Sequence, residues 1–330
     1  MAAAERAPRL MGAVVLVVGL TSTLVGCRSA PSGTSSDSTS SSRNAFDVVA
    51  RYPAKSLELR RPVAMAVGPD GNAYVTDNHQ QVSVISREGH VIRRWGEPGD
   101  GPGEFHFVGS DPADPTWRPG RLTVGPDGSV YVSDSGNARV QVFTRDGRFV
   151  RQFGTFGSGD GQFLRPQDLA VAETGDVFVA DDERQTLTHF SSAGDASWTI
   201  GGASPDSDLV GNFHPGAIDG HGRLVVANDF NGRILYLDAQ GHEVDAFGGS
   251  GPLVKDGPCD VTVDDLGYTY VSPCAPGPTY VFDRGHRLVA SWPASEGVLA
   301  TAPRFGPDGV GFALGVDGSV IVVRATLGRS

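Results

Sequence analysis

The 330-residue chain carries 27 Lys+Arg against 38 Asp+Glu, for a formal net charge of -11 and a pI near 5.1. That balance argues against nucleic acid or an anionic membrane surface as partner, because both call for a basic face. A hydrophobic content of 39% supports a real core, while three cysteines exclude a disulfide-framework miniprotein and any multi-cysteine zinc or iron–sulfur module.

In chain order, the first predicted element is a targeting segment. Arg6 and Arg9 precede the apolar run Leu10–Leu20, which is too short to span a bilayer comfortably. The run leads to Leu24-Val25-Gly26-Cys27, which resembles the bacterial lipobox. That resemblance implies a leader over 1–26, acylation (palmitate-type) of Cys27, and an address on the outer face of a cell membrane. Ser29 to Ser42 holds eight Ser and two Thr in fourteen residues. Such a stretch has nothing to bury, so 27–43 is expected to be a tether.

Repeats follow. Val67-Gly68-Pro69-Asp70-Gly71 recurs as Val124-Gly125-Pro126-Asp127-Gly128, with looser copies ending at Gly175, Gly222, Gly267 and Gly318. Alternating apolar strands flank each Asp-Gly-type turn, and a second turn follows at Gly89, Gly147, Gly194, Gly241 and Gly285. Six units of four short antiparallel strands predict an all-β, six-bladed β-propeller over 44–330. The last unit is expected to begin near Val310–Leu314 and Ser319–Val323 and to run out of chain. The strand-like Phe46–Tyr52 is expected to complete it and close the ring, removing exposed edges.

The wording of the repeats resembles the NHL repeat. It is best seen in Tyr131-Val132-Ser133-Asp134-Ser135-Gly136-Asn137-Ala138-Arg139-Val140 and the following Gly159-Asp160-Gly161-Gln162-Phe163. The fifth unit departs, with Pro273 where Asp77, Asp134 and Asp181 stand in other units. Cys259 and Cys274 fall opposite each other on the first two strands of that unit and are expected to form a disulfide, given Cys27 acylated in an oxidising compartment.

Candidate function sits on the face that carries the long links, with His106, Trp117 and Arg118 in or beside the longest of them. Arg61, Arg118 and Arg165 precede the inner strands in phase, and their forked donors suit carboxylate or phosphate. Asp308 falls in the same slot of the sixth unit. His214 is one histidine at an inner-strand start, short of the set that NHL-like amidating lyases use for zinc, so no metal site is assigned. Gln167, Asp168 and Asp260 lie near the channel in phase, leaving weak calcium binding open. The remaining histidines read as solvated turn residues.

The reading that emerges is a monomeric, lipid-anchored binding or scaffolding module for a protein, peptide or small ligand outside the cytoplasm, with no catalytic residue, no nucleic acid and no cofactor. The alternative is a metal-dependent lyase or lactonase of the same fold.

Overall fold

The computed structural model describes residues 45–107, 120–202, 211–292, 299, 301–306 and 308–329. The expected leader at 1–26 and most of the tether at 27–43, including Cys27, lie outside them. Six four-stranded antiparallel sheets form the blades of a β-propeller. From the inner strand outward, blade 1 is Pro62–Val67, Ala73–Asp77, Gln81–Ile85 and Val91–Trp95. Blades 2 to 5 repeat this plan, their inner strands being Leu122–Val124, Pro166–Val171, Phe213–Ile218 and Pro258–Val263.

Burial follows position within the blade. Second strands such as Val130–Asp134 and Leu224–Asn228 are buried at every residue, because a neighbouring blade covers each of their faces. Outermost strands, such as Val91–Trp95, instead alternate between half-buried and exposed positions. Six apolar clusters result, one at each joint between adjacent blades.

A recurring device locks the joints. An aromatic ring on one outermost strand lies over the second-turn glycine of the next blade: Tyr52 on Gly89, Trp95 on Gly147 and Trp198 on Gly241. A Cβ on Gly147 would come 2.7 Å from the Trp95 ring, and the backbone there has φ +80°. Only glycine meets both demands.

The ring closes as expected. Phe46–Tyr52 is the outermost strand of blade 6 and pairs antiparallel with Val320–Ala325, from Phe46 opposite Ala325 to Tyr52 opposite Val320. The phase of that blade differs from the sequence expectation. Its inner strand is Arg304–Phe305, and Val310–Leu314 and Val320–Ala325 are its second and third strands. The repeat glycine of this unit is therefore Gly309, in Phe305-Gly306-Pro307-Asp308-Gly309, and Gly318 lies in the link between second and third strands. Asp308 consequently sits among the tight turns, paired with Arg87 at 2.5 Å, and not at the channel. Among the described residues one short α-helix, Pro252–Asp256, stands in the link between blades 4 and 5, where five residues give no helical period to read. Among the described residues no helix is long and apolar enough to cross a membrane.

Candidate functional site

Strand direction defines two faces. The turns joining first to second and third to fourth strands share one face; the links between second and third strands and between blades share the other, the loop face. Positions seven or five residues before each repeat glycine contribute to the lining of the central channel. The channel encloses about 130 Å³, and Ala64, Arg121, Asp168, Pro215, Thr262 and Arg304 are among the residues that line it.

The slots read from sequence stood one to three residues too early. The inner strands of blades 1, 3, 4 and 5 each contain a register shift, as between Pro62 and Ala64 or Pro166 and Leu169, which advances the channel-facing phase. Arg61 is accordingly exposed on the loop face with φ +47°. Arg165 turns sideways to Asp182. His106 is exposed and donates its backbone N–H to Asp134 at 2.7 Å. Gln167 is buried. Trp117 and Arg118 lie outside the described residues.

Asp168 and His214 are brought together. Asp168, from blade 3, forms an ion pair with Arg121 of blade 2 through one oxygen, 2.6 Å from Nε, and meets His214 Nδ1 of blade 4 with the other at 2.8 Å. His214 Nε2 faces Asp229 Oδ2 at 3.6 Å. On the joint between blades 5 and 6, Asp260 pairs with Arg304 at 2.5 Å and accepts the Ala302 backbone N–H at 2.9 Å. Burial of the His214 ring works against its charge, but the hydrogen bond to Asp168 and the nearby carboxylates of Asp168 and Asp229 outweigh it and raise its pKa to about 9. These pairs run circumferentially and tie neighbouring blades at the hub. Arg121 and Arg304 were missed from sequence; counting from Gly128 and Gly309 in the corrected phase would have found both.

Cys259 and Cys274 are joined as a disulfide. The Cys274 sulfur lies 3.9 Å from the same Asp229 oxygen that faces His214. Two histidines also differ from the expectation of solvated turn residues. His189 is 9% exposed and stacks on Trp198, and His286 stacks between Tyr236 and Phe247.

The fold defines a class, the six-bladed β-propeller, and residues 116–143 match the NHL repeat. The chain is 29% identical over 136 residues to the protein brain tumor of Drosophila melanogaster, spanning 40% of this chain and 12% of that one. It is 32% identical over 140 residues to the peptidylglycine alpha-amidating monooxygenase of Rattus norvegicus, or 39% of this chain and 13% of that one. A probable peptidyl-alpha-hydroxyglycine alpha-amidating lyase of Caenorhabditis elegans is 26% identical over 170 residues, 49% of this chain and 44% of that protein. The match thus spans less than half the length of each of these relatives. Among solved structures, virginiamycin B lyase from Staphylococcus aureus superposes with a TM-score of 0.58 at 11% identity, covering 85% of this chain and 100% of that one. That likeness is one of fold.

Proposed function

We propose that the protein is a lipid-anchored, extracytoplasmic binding module, acylated at Cys27, whose loop face holds a protein, peptide or small ligand. One observation carries the reading. Phe156 and Phe230 are 75% and 74% exposed, above the other large apolar side chains described, and both stand on loop-face links. Exposed aromatics on a rigid rim are the side chains that dominate recognition energy. The channel groups beneath are engaged with one another, an arrangement that braces the hub.

Photo-crosslinking from positions 156 and 230 in native membranes tests the placement. A discrete adduct is expected there and none from the turn-face position 284. An adduct that forms equally from both faces refutes the assignment. For the anchor, Cys27→Ala is expected to leave the membrane fraction, and retention there refutes it.

A second reading, an ion-dependent lyase or lactonase, draws on the relatives that are named for amidation and lyase activity. It requires that zinc or calcium raise the thermal midpoint of chelator-treated protein with its disulfide intact. The binding-module reading requires no such rise.

A further inference from the structure

The hub next to the disulfide has a feature that ligand binding on the rim does not use. His214, Asp229, Cys259 and Cys274 each place a donor atom within 4.8 Å of the others'. Two of these separations are 3.6 Å, from His214 Nε2 to Asp229 Oδ2, and 3.9 Å, from Cys274 Sγ to that same oxygen. Around a tetrahedral zinc ion with ordinary bond lengths, donors stand roughly 3.3–3.8 Å apart. The Asp229 oxygen is therefore nearly at coordination spacing from both His214 and Cys274, while the two sulfurs are bonded to each other.

Their surroundings suit a metal as well. His214 Nδ1 is held by Asp168, itself fixed by Arg121, while the buried Nε2 has no hydrogen-bond partner and is turned toward Asp229. A carboxylate on the far nitrogen is the usual orienting partner of a metal-bound histidine. Neither sulfur is locked into a regular ladder. Cys259 falls within the register shift between Pro258 and Asp260, and Cys274 comes just after its strand ends at Pro273. Once unbonded, the sulfurs can separate to coordination spacing while the blade pairing stays in place.

We propose that the Cys259–Cys274 disulfide masks a zinc-type metal site, and that its reduction by a dithiol unmasks a four-donor set of His214, Asp229, Cys259 and Cys274. Reduction passes two electrons and two protons from the dithiol to the disulfide, leaving two thiols and an oxidised, cyclic reductant. Binding of the divalent ion then displaces both thiol protons to solvent, since the thiolate is the ligand, together with any proton on Nε2. The oxidised protein has no thiolate to offer. The switch does not depend on which ligand the loop face holds.

Cobalt(II) is the probe. Full-length protein is reduced with dithiothreitol, desalted without oxygen and titrated with cobalt alone, then with zinc in competition. The reduced protein is expected to take up one equivalent, with a thiolate-to-cobalt charge-transfer band that zinc abolishes; the oxidised protein is expected to show no band. Asp168→Asn should weaken uptake about 10–100-fold, as loss of an orienting partner does. Paired substitution His214→Ala and Asp229→Asn should remove the band. Equal uptake by the doubly substituted protein would mean that the thiols bind alone and would overturn the proposal, as would an absent band in the reduced protein. Circular dichroism of each sample reports folding. Cys274→Ser, which cannot form the bond, keeps three donors and is expected to bind cobalt without any reductant; if it does not, the proposal fails even where the reduced chain unfolds.

Discussion

Blades 1 to 3 and blade 5 fasten the same joint by different chemistry. In the first three, a buried aspartate at the end of the second strand accepts backbone N–H groups from the link running into the blade. Asp77 takes Arg60 at 2.8 Å, Asp134 takes His106 at 2.7 Å and Asp181 takes Leu164 at 2.7 Å. Blade 5 has Pro273 at that register position, opposite Pro258, and the disulfide ties the two strands instead. A backbone bond between strand end and link persists in both, from Asn78 to Arg60 at 2.8 Å and from Cys274 to Gly257 at 2.8 Å. The repeat thus fixes the joint's geometry and leaves its fastener open to change. Blade 5, where the acid is absent, is the place a redox-sensitive group could enter without breaking the ring.

The comparison breaks most readily at Asp134. Its fully buried carboxylate accepts from His106, Asn137, Arg139 and Gln141. Asp134→Ala leaves Arg139 as a buried, unmatched charge and is expected to cost about 3–5 kcal/mol in urea unfolding. Next comes the disulfide, whose removal as the Cys259→Ala, Cys274→Ala double variant should cost about 3 kcal/mol for a closed loop of this size. If the fasteners are equivalent, Pro273→Asp in that background should restore on the order of 1 kcal/mol.

The third expectation concerns pH. Because His214 has its pKa raised from 6.5 to about 9, its contribution is complete below pH 6.5 and disappears as pH rises through about 9. Stability of the oxidised protein should fall across that interval by about 3 kcal/mol relative to His214→Gln, whose side chain does not titrate. A slope of the opposite sign would exclude the paired imidazolium. The smallest effect is at the rim. Phe156→Ala and Phe230→Ala should each shift stability by no more than about 0.5 kcal/mol while weakening the crosslinked complex.

Much of this was legible in the sequence, because each Asp-Gly turn needs a positive-φ glycine and each strand pair alternates around it. Blade number, ring closure and the Cys259–Cys274 pairing followed from those signals. The sixth blade was placed one strand out of phase because Gly306–Gly309 and Gly315–Gly318 are both four-residue turns ending in Asp-Gly. Only pairing register tells which strands each turn joins. The hub was obscured for a related reason. Irregular pairing in the inner strands moves the channel-facing side chains past the Arg-Pro positions that looked conspicuous, so Arg61 and Arg165 end on the rim while Arg121 and Arg304 occupy the channel. Asp229 is hidden because its role depends on Cys274, which comes near it only when blades 4 and 5 dock.

The pairing of Phe46–Tyr52 with Val320–Ala325 also sets an order of events in time. The earliest-made strand of the wheel finds its neighbour only after all six sectors have been synthesised. Lengthening the intervening span adds little to the entropic penalty of joining them, but contacts so remote in sequence form late and slowly. Until then the third strand of the last sector and the waiting segment both show unpaired backbone, so the wheel stays open at that one joint until the chain is complete.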